Sequence, residues 1–106
     1  AQQGYLGIQG QNIDDNAASM YGMPKGIYVY KIVENGAASK SELKEKDIIT
    51  KFDGQSVRTM ADLKDLLKYY RSGETVDLTV QSLENGEYQE RTVSITLGTR
   101  PADSKQ

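Results

Sequence analysis

Apolar positions recur along this chain at two different periods, and the switches between them divide it into elements. Residues 4–9, GYLGIQ, read as a short extended segment opened by glycine, with Leu6 and Ile8 on one face at period two. From Asn12 the period lengthens. Asn12 followed three residues later by Asp15 resembles a capping box, and Ile13, Ala17, Met20 and Tyr21 keep helical spacing until Gly22 and Pro24 stop the run. Gly26 then opens residues 27–33, IYVYKIV, whose β-branched and aromatic content predicts a buried strand ended by Glu34-Asn35-Gly36. Residues 37–43 are short, Ala-rich and polar and predict one or two helical turns. Residues 47–52, DIITKF, predict a strand closed by the turn Asp53-Gly54. Thr59 with Asp62 is a second capping signal, and Leu63, Leu66, Leu67 and Tyr70 follow at i, i+3, i+4 and i+7, with Gly73 where a glycine after a helix C-terminus belongs. Finally, Val76, Leu78 and Val80 alternate with Asp77, Thr79 and Gln81. After Asn85-Gly86 the pattern resumes with Arg91, Val93, Ile95 and Leu97 against Thr92, Ser94 and Thr96, the signature of a hairpin.

The order is thus β, α, β, short α, β, α, β, β, with no internal repeat. Helices are too few, and the last two strands too hairpin-like, for a doubly wound parallel sheet. The pattern predicts an α+β, mainly β fold: a partly open barrel or sandwich of about five strands capped by two helices. A length of 106 residues suits one domain. Residues 1–98 are expected to form it, and the aperiodic residues 99–106 to be a frayed tail or linker. A net charge of -2, with the two signs interspersed and no basic block, argues against nucleic-acid partners. No apolar run approaches the roughly 18 residues that span a bilayer, and Ala1-Gln2-Gln3 has neither a charged n-region nor an h-region, so the chain reads as a soluble, processed or excised piece.

The composition narrows the chemistry further. There is no His, Cys or Trp, which removes Ser-His-Asp and Cys-His nucleophilic catalysis, thiol redox, disulfides and Cys/His zinc sites. A Ser-Lys dyad needs a buried, pKa-lowered lysine, whereas Ser39-Lys40 lies in a polar segment and Ser104-Lys105 in the tail. Asp14 and Asp15 are adjacent, diverge on a helix and suit its N-terminus. Asp53-Gly54 lacks the alternating oxygen ligands of a calcium loop. No catalytic constellation, metal site or cofactor site is expected.

One feature remains. GYLGI places glycines around apolar residues, so that the backbone can turn and consecutive N–H groups can converge into a nest for an anion; taken alone, the motif is more simply an ordinary strand start with flexible glycines. In context it belongs to a longer series. Gly26-Ile27-Tyr28-Val29, Ala37-Ala38, Leu43, Asp47-Ile48-Ile49 and Asp53-Gly54 follow GYLGI in an order and spacing that resembles the PDZ domain of HtrA-type serine proteases over about residues 4–98. Two positions depart from that pattern. Glu42 and Lys46 stand where the family usually has glycine, so the loop between them is expected to be shaped differently, although lysine enters left-handed geometry at modest cost.

The resemblance implies a PDZ-like fold and a binding function. A peptide C-terminus would add as an antiparallel strand between the edge Ile8, Gln9 and Gly10 and the main helix, with its carboxylate in the loop Tyr5, Leu6, Gly7 and Ile8. The last side chain would enter a pocket lined by Leu6 and Ile8 from the loop and by Met60, Lys64 and Leu67 from the helix, while Leu63 and Leu66 pack the core. The first basic residue is Lys25, so carboxylate capture would rest on backbone N–H groups, helped from across the groove by Lys64. Implied partners are C-termini of unfolded or regulatory proteins and the protease domain of the same parent chain, with no nucleic acid and no small-molecule cofactor. The resemblance also implies an extracytoplasmic setting, periplasmic or at the extracellular membrane face, in a membrane-anchored or secreted bacterial-type parent engaged in protein quality control. The implied alternatives are an assembly or regulatory module of the protease oligomer, and the PDZ domain of another membrane-associated protease type.

Overall fold

The computed structural model describes residues 4–99. Its strands are β1 (Gly4–Tyr5), β2 (Ile8–Asn12), β3 (Ile27–Ile32), β4 (Ile48–Phe52), β5 (Gln55–Ser56), β6 (Thr75–Glu84), β7 (Glu87–Thr96) and β8 (Gly98–Thr99), and its helices are α1 (Asp15–Tyr21) and α2 (Met60–Leu67). A single 3-10 turn, Ala38–Lys40, follows β3. One antiparallel sheet runs β2-β3-β4-β6-β7, with β5 folded back on β4, and a separate two-stranded ribbon pairs β1 with β8. Neither sheet closes on itself, so the architecture is the mainly β, partly open one expected, with β2 and β7 as the outer strands of the larger sheet.

The alternation of β6 explains its seat: Val76, Leu78 and Val80 are buried while Thr75 and Asp77 face solvent. These side chains meet Ile27 and Val29 of β3, Ile49 and Phe52 of β4, Val93 and Ile95 of β7, and Leu63 and Leu67 of α2 in one core. Asn85 and Gly86 both have positive φ, 52° and 82°, the left-handed pair that a two-residue hairpin turn needs. Asp53 and Gly54 do the same between β4 and β5.

Several boundaries differ from expectation. The segment 4–9 is not one strand: Leu6 and Gly7 interrupt it, and the two pieces pair with different partners, β8 and β3. The cap of α1 is Asp14, not Asn12, with Asp14 Oδ1 accepting from Ala17 N–H at 2.7 Å; standing immediately before the helix, Asp14 reaches the orphan donor that Asn12, inside β2, cannot. The helical turns expected over 37–43 shrink to Ala38–Lys40, because Ser41 is extended. The helix α2 stops at Leu67, and Gly73, expected as its terminating glycine, lies in the following loop and donates to Leu97 O at 2.7 Å. Thr99, expected in the tail, pairs with Gly4; residues 100–106, including Ser104-Lys105, lie outside the described residues.

A buried ionic network sits on the side of β4 that receives the β6–β7 hairpin. Asp47 accepts from Ser82 Oγ at 2.7 Å, from Arg91 Nη2 at 2.8 Å and from Lys44 N–H at 3.0 Å. The Arg91 guanidinium also reaches Glu42 O at 3.3 Å. Lys46 does adopt left-handed geometry, φ 77°, and this network holds the loop in which it stands.

Candidate functional site

The site begins where β1 gives way to β2. Leu6 O accepts from Ala38 N–H and Gly7 O from Val33 N–H, each at 2.8 Å, so two consecutive carbonyls of the loop are turned inward onto the segment 33–38. In a trans peptide unit the C=O and the next N–H point in opposite directions. The N–H groups of Gly7 and Ile8 are therefore both turned outward, side by side. Gly7 makes this possible with φ 78°, a conformation that costs an L-residue about 1–2 kcal/mol. Its α-carbon also packs so closely that a β-carbon would lie 3.0 Å from Gly36 Cα. Adjacent outward N–H groups around a left-handed residue make an anion nest.

The register of β2 extends the same edge. Residues of an antiparallel pair alternate between bonding each other and bonding outward. Because Gly7 O bonds Val33, the pair Ile8–Ile32 is a non-bonded one, and Ile8 directs its N–H and C=O away from β3. Past the bulge between Gln9 and Gly10, Gly10 opposes Val29, whose N–H and C=O are used by Asp47 and Lys46 at 2.9 and 2.6 Å. Gly10 thus also faces outward, whereas Gln9, between them, bonds inward.

The helix α2 lies beside this edge and runs antiparallel to it. At its start, Met60 N–H donates to Asn12 Oδ1 at 2.8 Å, and beyond its end Tyr70 O accepts from Gly4 N–H at 3.0 Å. Thr59 caps it through Asp62 N–H at 3.1 Å. Met60 is seated on Gly10: a β-carbon there would lie 2.7 Å from Met60 Sδ and 2.6 Å from Ile27 Cγ2. Tyr70 is fixed in turn by its hydroxyl, which donates to Asp53 Oδ2 at 2.6 Å, and by an edge-to-face contact with Phe52 at 5.0 Å. The Asp53 hydrogen bond, with a smaller contribution from burial, raises the Tyr70 pKa above its usual 10.0.

The structure places the expected residues unevenly. Tyr5, Leu6, Gly7 and Ile8 are all buried as residues, with Gly7 and Ile8 offering backbone N–H groups rather than side chains. Gln9 is exposed. Leu6, Ile8 and Leu67 all belong to one core cluster, at 0–1% exposure. Met60 is half-buried and stands at the Gly10 end of the groove, away from the loop. Lys64 is exposed on the helix and makes no ion pair among the described residues. Leu63 is in the core and Leu66 packs partly against it. The sequence pattern did not single out Asn12 as a tie between β2 and α2, nor Tyr70 as an anchor; Asn12 was legible only as a local cap, because its partner lies 48 positions away.

A family model described as "PDZ domain" matches residues 4–97. The chain belongs to the PDZ family. Among curated proteins, this PDZ domain is 32% identical over 103 residues to a "Probable periplasmic serine endoprotease DegP-like" of Pseudomonas putida, covering 95% of this chain and 21% of that protein. It is 38% identical over 58 residues to "Serine protease Do-like HtrA" of Lactobacillus helveticus, covering 55% of this chain and 14% of that one. The chain thus spans about a fifth or less of the relatives it matches. Among solved structures it resembles "HtrA-type protease AlgW with decapeptide", with TM-score 0.76 and 25% identity over 93% of this chain and 30% of that one. The PDZ domain of HtrA3 bound to a phage-derived ligand has the same fold, with TM-score 0.70 at 20% identity, covering 89% of this chain and 84% of that one.

Proposed function

We propose that this PDZ domain captures peptide C-termini as an added strand on β2 and serves as the non-catalytic substrate or regulatory handle of an HtrA-type serine endopeptidase. The paired outward N–H groups of Gly7 and Ile8, at the end of an edge whose next outward residue is Gly10, carry this reading. The carboxylate accepts from Gly7 and Ile8, the peptide backbone pairs with Ile8 and Gly10, and the chain upstream of the terminus runs toward Asn12 and Met60. Main-chain pairing gives affinity that tolerates many sequences; α2 supplies the selection. Met60, opposite Gly10, meets a side chain upstream of the last residue, and its unbranched thioether suits several apolar shapes. Lys64, midway along the helix, adds positive potential to a nest otherwise built from backbone.

Leu6, Ile8 and Leu67 are all buried in one core cluster, so room for a last side chain comes with an outward shift of α2 from β2. Affinity is accordingly modest, in the micromolar range or about -8 kcal/mol. The peptide-bound relative and the DegP-like relatives support both the ligand class and a catalytic domain elsewhere in the parent. The periplasmic names of the relatives support an extracytoplasmic location; a membrane-anchored or secreted parent follows the same reading.

Titrating the chain with a peptide that has a free apolar C-terminus, and with its amidated twin, tests the proposal. The free acid binds and the amide binds at least about tenfold more weakly, as expected for the loss of a charge-assisted contact of about 1.5–3 kcal/mol. Equal binding of the two would refute carboxylate capture.

A further inference from the structure

The larger sheet has a second outer strand, and it too borders a cleft. Leu97 N–H donates to Glu74 O at 2.8 Å and Leu97 O accepts from Gly73 at 2.7 Å. Counting back from Leu97 through the unbroken β6–β7 register, Ile95 and Val93 bond inward, while Ser94 and Thr96 direct their N–H and C=O to the free side. On that side lies a cleft of about 530 Å3, within the range of about 300–1,000 Å3 usual for binding clefts. Its lining combines Ser94 and Thr96 of β7 with Val33, Ala37 and Lys40 of the segment after β3, and includes Thr99. An edge strand facing a short helical turn across a cleft repeats, on the opposite side of the sheet, the plan of β2 and α2.

We propose that this cleft takes an extended, internal segment of the parent chain lying outside these 106 residues, which adds to β7 as a further strand. The inference rests on the reading of the chain as one module of a longer protease. Gly4 pairs with Thr99, which lines the cleft, so both ends of the described residues lie beside it. The relatives carry about four-fifths of their length outside the matched region. Glu34 and Lys40 on the rim have opposite charge, which offers a free carboxylate no net attraction and suits an internal stretch. The nest of Gly7 and Ile8 has no counterpart here, because the backbone of Ser94 and Thr96 is regular β and presents alternating, not adjacent, N–H groups. Small apolar Ala37 and Val33 leave room for side chains of moderate size.

Hydrogen exchange compares the isolated chain with the full-length parent. The amides of Ser94 and Thr96 exchange about tenfold or more slowly in the parent, while those of Ile8 and Gly10, on the other edge, keep their rates. Ser94→Pro removes the outward N–H and leaves every bond to β6 in place, as proline at an edge position does. In the parent it returns Thr96 to the rate seen in the isolated chain. Equal rates for the wild-type pair in both proteins would overturn the proposal, whether or not the proline variant folds. Protection that survives the proline overturns it as well, since cover without strand pairing is a different contact. Peptide titration of the isolated chain reads the β2 groove separately, so a failure of carboxylate capture and a failure of this second edge are distinguishable.

Discussion

Gly7→Ala separates the demands placed on the loop proposed to hold the carboxylate, and Gly54→Ala provides its control. Both glycines are left-handed, with φ 78° and 80°, so both changes meet the same backbone penalty of about 1–2 kcal/mol. They differ in what a β-carbon meets. At Gly54 nothing lies within 4 Å; at Gly7 it would lie 3.0 Å from Gly36 Cα and 3.4 Å from Ala37 N. Those are backbone atoms of a segment whose Val33 and Ala38 N–H groups hold the loop carbonyls at 2.8 Å. Neither side can yield without lengthening those bonds, so overpacking adds about 1–2 kcal/mol, in the lower part of its usual range. At about 4–8 °C per kcal/mol for a domain of this size, Gly54→Ala lowers Tm by about 4–16 °C and Gly7→Ala by roughly twice that. Calorimetry reads this difference. Binding then divides the variants: as the loop relaxes, the Gly7 and Ile8 N–H groups cease to converge, and free-acid peptide affinity falls about tenfold or more while amidated peptide is little affected. Gly54→Ala leaves both affinities unchanged. Equal destabilisation by the two changes would refute the packing argument, and unaltered free-acid affinity in Gly7→Ala would refute the nest.

Other perturbations follow from the same contacts. Arg91→Leu leaves Asp47, 5% exposed, without its ionic partner; because Arg91 itself is partly open to water, the loss is about 2–3 kcal/mol rather than the full cost of a buried pair. Urea unfolding measures it, and Asp47→Asn in the same chain recovers part of it while peptide affinity stays unchanged. Tyr70→Phe keeps the contact with Phe52 and loses the hydrogen bond to Asp53, about 0.5–1 kcal/mol at this exposed position. Since the folded state holds the Tyr70 phenol above 10.0, that stability is fully present below pH 10.0 and is lost as pH rises through the folded pKa; wild type and variant converge in alkaline unfolding experiments. Asn12→Ala removes the acceptor for Met60 N–H and destabilises the chain by about 0.5–1 kcal/mol. It also raises free-acid peptide affinity by about two- to fivefold, measured by titration, if capture requires that tie to break.

Elements built on strict local rules were readable from the sequence. The hairpin was fixed by alternation and by Asn85-Gly86, the only pair there able to sit left-handed together, and its register is unbroken in the structure. Leu63 was equally legible as a core residue, whereas Leu67, read as a groove residue, lies in the same core and Leu66 only packs partly against it. Local patterns failed where a distant partner decides. The segment 4–9 looks like one strand because Leu6 and Ile8 alternate, yet Val33 and Ala38 turn its two carbonyls inward and split it. Gly73 looks like a helix stop because it follows an apolar run at the right distance, but Tyr70 is drawn out of the helix by Gly4 and Asp53. Asp47, Ser82 and Arg91 carry no shared motif, and only the pairing of β4, β6 and β7 brings them together. For the candidate site, Gly7 and Ile8 were legible as a loop, but the direction of their N–H groups follows from hydrogen bonds that no spacing rule contains.

The placement of α2 couples the stability of this domain to its binding. The helix is held at its start by Asn12 and beyond its end by Tyr70, through Gly4 and Asp53, while between these ties it rests on apolar contacts of Leu63 and Leu67. Apolar contacts are non-directional and tolerate sliding, whereas each terminal tie is a hydrogen bond lost once its atoms separate by little more than 3.5 Å. Admitting a strand at the usual 4.7–4.9 Å from β2 therefore strains the two ties unequally. The Asn12 tie joins the helix directly to the strand that must be freed. The Tyr70 ties join it to β1 and to the β4–β5 turn, which need not move. The helix is consequently freer to shift at its Met60 end than at its Tyr70 end, so on the proposed mode of capture the groove opens more readily beside Gly10 than beside the loop, where room for the last side chain next to Leu67 has to come from a smaller shift. On the proposed mode of capture the nest stays fixed while the Met60 end of the wall moves, so changes at Asn12 or Met60 are expected to alter which peptides bind, and changes at Gly7 whether a C-terminus binds at all.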